Sequence, residues 1–479
     1  MKKRIVMTAI AGYMLIAGAG CKKFLDVNSD PAGASKVDDR LLLTSVQLND
    51  AFNIAGGYPA RTAAFWTQQL AYNLGAPDWD SYRVTATDVD ITWAFDLYPA
   101  CLKNLKILET QAAAAGHTHY EGVAKVMIAY NLAIATDLWN EVPYSDGLQG
   151  FNNLKPKYDT QESIYQSIFT LLDDGIKLMK GPDNSIVQPD AKDLFYGTQV
   201  DQMGSWVKFA YFLKARYALR LCYAPGKDVK AQAQLALDAT ALSFTDATTN
   251  PGVKFSSTAG NNAPWFQFLT FWGNTYMSST LVDLLKSKAD PRLPVIAAVA
   301  PATGEYKGRI IGSSPNGKLN GKDTVSKVGS FFNRPDQSVY LGTYDELLFI
   351  RAEATYLISG TAAAQPVFIA AVNAAMSRLG LNPSGADVSA YIAAHCTLTD
   401  ATAYETIMTE KYVSNFLSLE SYNDWRRTNF PKLKVVLNPY QGLTSIPRRF
   451  VYPSSENATN KQPQQPGLLT DRVWWDTQR

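Results

Sequence analysis

The chain has 479 residues, of which 46% are hydrophobic, 18% charged and 12% aromatic, and its formal net charge is +2. Near-neutrality without a dense run of Lys and Arg argues against nucleic-acid binding, and the length suffices for one large domain or two ordinary ones. Four cysteines, Cys21, Cys101, Cys222 and Cys396, are too widely spaced for a disulfide framework or a zinc site. One chance pair could form among the last three, but buried free thiols are the expected state.

The first element is a targeting segment. Lys2, Lys3 and Arg4 form a positive region, Ile5 to Ala19 carries no charge, and Gly18, Ala19 and Gly20 precede Cys21. Small residues before an early lone cysteine fit a bacterial lipoprotein signal, cleaved ahead of Cys21, whose thiol takes the lipid. The apolar run is short for a spanning helix. Gly18 stands where a larger apolar residue is usual, so an ordinary secretory signal cut near Ala17 to Ala19 is the competing reading. Removing the three cations tips the balance slightly negative. No later apolar stretch is long enough to cross a bilayer; Leu293 to Ala302, for example, is interrupted by Pro294 and Pro301. Lipid on Cys21 is therefore the only membrane attachment expected.

Residues 22–40 are polar and read as a tether. Helical periodicity follows over Leu41 to Phe52 and Arg61 to Tyr72. Asn73 to Asp90 is loop-like. Trp93 to Ala115 is a long helix stopped by Gly116. The next helix, Tyr120 to Trp139, carries the stripe Val123, Met127, Tyr130, Ile134 and Leu138, and Val142-Pro143 ends it. Thr160 caps a helix from Gln161 to Met179, and Gly181-Pro182 stops it. Trp206 to Cys222 and Val229 to Leu242 are further helices. Residues 243–340 are rich in Gly, Pro, Ser, Thr and Asn, with one clear helix at Ser279 to Ser287. Helices return at Thr343 to Ser359, Pro366 to Leu379, Val388 to Ala394 and Ala401 to Tyr422, before an irregular end. Recurrent helix pairs with short connections suggest tetratricopeptide-type stacking, in which each amphipathic helix needs its neighbours.

Several stretches carry a more specific signal. Cys21 is followed by Lys22-Lys23-Phe24-Leu25-Asp26. Asp137-Leu138-Trp139-Asn140-Glu141-Val142-Pro143-Tyr144-Ser145 forms a helix end and turn. Trp206 to Leu221 is a helix bearing Lys and Arg, and Asp290-Pro291-Arg292-Leu293 is a turn. Tyr344-Asp345-Glu346 through Ala352-Glu353-Ala354, Glu410-Lys411-Tyr412 through Trp425-Arg426-Arg427, Ile446-Pro447-Arg448-Arg449 and Val473-Trp474-Trp475-Asp476 complete the set. In this order they resemble the SusD/RagB family of outer-membrane nutrient-binding lipoproteins, with Asn140 standing where Gly is common. The resemblance implies a mainly α, SusD-like fold: a tetratricopeptide-like helical-pair scaffold with a long irregular, loop-rich excursion and short strands. The organisation expected is a signal at 1–20, lipidated Cys21 and tether at 21–40, and one domain at 41–479. Within that domain, 41–242 and 341–430 form the scaffold and 243–340 the ligand side. The motif residues themselves read as structural. Asp137 and Glu141 lie four apart, within reach of Arg426 and Arg427 in a packed scaffold.

No catalytic constellation stands out. His117 and His119 read as part of a solvated connection rather than a metal site. Gly312 to Lys318 mimics a phosphate loop, but Leu319 replaces the Ser or Thr that would hold magnesium, so it reads as a turn. The resemblance implies a lid on the external face of the outer membrane. That lid would capture a glycan and deliver it to a SusC-like TonB-dependent transporter, with no cofactor and no enzymatic step. Sugar recognition needs aromatic faces and planar polar groups. Two loop segments offer both: Asn73, Trp79, Asp80, Tyr82 and Arg83 in one, Trp265, Gln267, Trp272, Asn274 and Tyr276 in the other. A peptide-binding lid of the same architecture and, behind it, a cryptic glycoside hydrolase are the alternatives.

Overall fold

The computed structural model describes residues 37–74, 76–313, 323–460 and 467–477. The signal segment, Cys21 and residues 314–318 of the phosphate-loop mimic lie outside the described residues. Helix α1 (Asp39–Asn49) runs on into a π-helical stretch, Asp50–Ala55. Helix α2 (Tyr58–Trp66) starts with Pro59 in its first turn, where a missing N–H costs nothing. It stops at Trp66, six residues before Tyr72 and earlier than periodicity suggests. Gln68 takes a positive φ of 59°, which ends the helix, and Leu70–Tyr72 becomes strand β1.

A second π-helical stretch, Thr92–Lys103, holds Pro99, and its wider turn tolerates a residue that cannot donate a backbone bond. It leads into α3 (Asn104–Ala115), which ends at left-handed Gly116. Helix α4 (Thr118–Trp139) is buried along nearly its whole length. Helix α5 (Gln161–Lys180) begins where Thr160 Oγ1 accepts from Ser163 N at 3.3 Å. A Cβ on Gly122 of α4 would lie 3.0 Å from Gly175 O of α5, so glycine on both helices permits their close crossing. Helices α6 (Gln202–Arg220) and α7 (Val229–Ala241) follow.

The excursion contains strand β2 (Gly252–Val253), helix α8 (Pro264–Phe271), strand β3 (Thr275–Met277), helix α9 (Ser279–Ser287), the single turn α10 (Leu293–Ile296) and strand β4 (Val339–Tyr340). Helix α8 is the main departure from the loop reading of this region. Helices α11 (Tyr344–Ser359), α12 (Thr361–Arg378), α13 (Ala386–His395), α14 (Ala403–Ser414) and α15 (Leu419–Thr428) rebuild the scaffold, and α16 (Ser454–Thr459) is short. The expected helix at Ala401 to Tyr422 is broken into α14 and α15, because Leu417 adopts a φ of 66° in the turn between them.

Sequential packing of α3, α4, α5, α6 and α7 makes a stacked array, and α7 hands it on to α11 and α12 across the excursion. The observed fold is thus mainly helical, with stacked helices and few short strands, as the resemblance implied. Buried ions tie the array together. Arg216 of α6 grips Glu346 of α11 through Nε and Nη2, both at 2.8 Å. Asp137 is held by Arg220, by Tyr165 Oη at 2.6 Å and by Trp475 Nε1 at 2.7 Å. This corrects the expected pairing with Arg426 and Arg427. Arg426 instead donates to the carbonyls of Asp137 and Arg448, between the rings of Tyr422 and Trp475, and Arg427 pairs with Glu353 and Asp424. Glu141 is exposed.

Candidate functional site

Strand β1 pairs antiparallel with β3, Leu70 opposite Met277 and Tyr72 opposite Thr275. One residue beyond the ladder, Asn73 N donates to Asn274 O at 2.8 Å. Side chains cross the same junction: Asn274 bonds the Tyr72 phenol and Asn73 bonds the Tyr276 phenol, while burial pushes both phenols up. The two segments singled out from sequence are therefore spatial neighbours.

Most of their aromatic and acidic side chains build the junction itself. Asp80 is buried and accepts from Tyr72 N at 2.8 Å and Ser81 Oγ at 3.1 Å. Burial raises its pKa to about 6, against the lowering effects of these bonds and of Arg309. Tyr82 is fully buried and its hydroxyl accepts from Val436 N at 3.1 Å. Burial pushes that phenol up to about 12. Trp79 is half-buried; its ring stacks on Tyr58 at 4.9 Å and its Nε1 donates to Thr62 Oγ1 at 2.9 Å. Tyr276 is buried beneath the ladder, and Arg83 is exposed, 3.8 Å from Asp78.

Helix α8 divides the remaining residues. At its start Trp265 turns inward onto a cavity of about 290 Å³. Gln267 donates back to Asn262 O at 2.8 Å, so its amide is engaged within the helix start. At its end Phe271 and Trp272 project outward, 81% and 62% exposed. Gly273, at a φ of 53°, then turns the chain into β3. Leu74 and Ile310, also exposed, follow Asn73 and Arg309 at the same end of the ladder, where Arg309 Nε donates to Tyr72 O at 3.1 Å. The surface thus joins Trp272 with Asn73, Asn274 and the unforeseen Phe271. The signal for Phe271 is present in the sequence as two successive aromatics ahead of a glycine.

The histidines are structural pins rather than members of a solvated loop. His117 Nδ1 meets Asp39 at 2.5 Å, and His119 bonds Gln188 Oε1 at 2.8 Å and Gly181 O at 3.2 Å. Among the described residues, no group of three or more His, Cys, Asp or Glu side chains could hold a metal ion, and no helix is long and apolar enough to cross a membrane. Cys101, Cys222 and Cys396 are buried and free.

The family profile SusD-like, described as starch-binding and associating with the outer membrane, matches residues 31–453, and the chain belongs to that family. Similar solved structures include a chitin-binding protein, 23% identical, with a TM-score of 0.78 over 92% of this chain and 100% of that one. A SusD/RagB family protein from Bacteroides thetaiotaomicron is 23% identical, with a TM-score of 0.75 over 92% and 99% of the two chains. A chitin-binding SusD homolog from Flavobacterium johnsoniae is 21% identical, with a TM-score of 0.74 over 91% and 98%. At these identities the structures establish a shared fold. Curated protein sequences give no match.

Proposed function

We propose that the protein is a surface glycan-binding lipoprotein, anchored by lipid on Cys21 to the external face of the outer membrane, that passes oligosaccharide to a SusC-like TonB-dependent transporter. The observation that carries the binding role is the outward pair Phe271 and Trp272, set on a rigid helix end beside Asn73 and Asn274. Flat rings cover the C–H face of a sugar. The family's description and the chitin-binding relatives support a glycan as the ligand class. Capture of this kind breaks no bond and needs no cofactor; the energy for uptake comes from the partner.

Isothermal titration of the acyl-free protein with starch and chitin oligosaccharides tests this reading. Saturable binding is expected, weakened about tenfold or more in Trp272→Ala and in Phe271→Ala, the size of effect typical for truncating an aromatic anchor. Equal affinity in both variants would place the site elsewhere. Binding of short peptides and of no glycan would favour the peptide-binding lid.

A further inference from the structure

The cavity behind Trp265 is distinct from the exposed platform. Trp265 is the second residue of α8 and Trp272 follows its last, so the two positions are about 10 Å apart along the helix axis. One wall of the cavity is aromatic: Phe332 packs edge-on against Phe331 and Phe416, each at 5.0 Å. Other groups on the lining are polar and held in place by their partners. Arg216 is held by Glu346 and by Leu341 O at 2.9 Å, and Glu420 accepts from Arg220 and from Asn423 Nδ2 at 3.2 Å. The two carboxylates, Glu346 and Glu420, sit in capped helix starts. Thr343 Oγ1 accepts from Glu346 N at the head of α11, and Ser418 Oγ from Glu420 N at the head of α15. Arg334, 48% exposed, lies over Phe331 at 5.3 Å with its Nε donating to Gln337 Oε1 at 2.7 Å.

Charge decides what such a space takes. Three residues with carboxylates on the lining, Asp137, Glu346 and Glu420, are matched in number by three with guanidinium groups, Arg216, Arg334 and Arg378. The balance favours an ion of neither sign. Aromatic faces together with fixed donors and acceptors suit a ring with a C–H face and hydroxyl edges, and about 290 Å³ is at the low end of ligand pockets. We propose that this cavity is a second ligand site, for one neutral polyhydroxylated ring of hexose size, independent of the oligosaccharide platform.

The test uses the full chain with D-glucose and N-acetylglucosamine as probes, read by isothermal titration and by indole fluorescence. At least one sugar is expected to bind saturably. Affinity should stay within twofold in Trp272→Ala and fall at least tenfold in Ala133→Met, which fills the cavity from α4. The fluorescence response should vanish in Trp265→Phe. Should Ala133→Met fail to fold by circular dichroism, Phe331→Ala serves in its place, removing the aromatic face. A crystal soaked in the binding sugar should show the ring inside the cavity. Absence of saturable binding by both sugars overturns the proposal. So does a loss in Trp272→Ala that the cavity variants do not share, or sugar density confined to the platform. Those last two results leave the platform reading intact, whereas oligosaccharide binding insensitive to Trp272 and Phe271 removes that reading without touching this one.

Discussion

Asp50 is buried beside Asn131 and Cys101, whose Nδ2 and Sγ donate to its carboxylate at 3.0 and 3.3 Å. Burial raises its pKa from 3.8 to about 7, and the two hydrogen bonds offset only part of that rise. The folded state therefore binds a proton there more tightly than the unfolded chain does. The associated stability is complete below pH 3.8 and is lost as pH rises through about 7. Replacing Asp50 by Asn removes the titration and offers an amide to Asn131 Oδ1, which is buried without a protein partner. Asp50→Asn should melt above the wild type at pH 8, and the gap should close toward pH 5. A melting difference independent of pH would detach Asp50 from this behaviour. Asn140 poses a different balance. It ends α4 with a φ of 71° and a ψ of −94°, costly for a side chain, yet its Oδ1 accepts from Trp474 N at 2.8 Å. In Asn140→Gly the relief of strain and the lost bond should nearly cancel, leaving stability within about 1 kcal/mol. Asn140→Ala keeps the strain and loses the bond, and urea denaturation should show a cost of about 2 kcal/mol.

At the scale of elements, caps and periodicity made several helices legible. Thr160 marks the start of α5, and Ser279 to Ser287 has the same bounds in sequence and structure, with Ser278 Oγ accepting from Leu281 N at 3.2 Å. Thr160→Ala should cost about 1 kcal/mol in the same denaturation assay, since it orphans a first-turn amide. Elements set by distant partners were not legible. Leu70–Tyr72 has nothing locally strand-like; it is a strand because Thr275–Met277 lies beside it. Pro264–Phe271 is short and mostly apolar, so periodicity could not separate a buried helix from a loop. The candidate site shows the same division. Composition pointed to the two segments that meet, but Trp265 and Trp272 are two helical turns apart and share a face by periodicity. One is buried and the other exposed because α8 runs out past the scaffold, a fact of tertiary position.

Across the whole molecule, long-range ion pairs join stretches far apart in sequence. Arg427 donates to both oxygens of Glu353, and Tyr404 Oη adds a bond at 3.0 Å, all within the interior. Glu353→Gln would leave Arg427 and Lys411 with reduced compensation and should destabilise by about 3 kcal/mol, whereas paired replacement of Arg427 and Glu353 by Met and Leu should recover most of that loss. Chemical denaturation of the three variants checks this, and adding salt should change the differences little because the pair is shielded from solvent. The bond from Trp475 to Asp137 extends the same logic to biosynthesis. Asp137 is made early and its Trp475 donor more than 300 residues later, so the centre of the array awaits a latch that emerges late. A nascent chain stalled before that point would present an unsealed scaffold to chaperones and proteases, and the timing of that closure, more than any local helix, would govern how much protein survives its own synthesis.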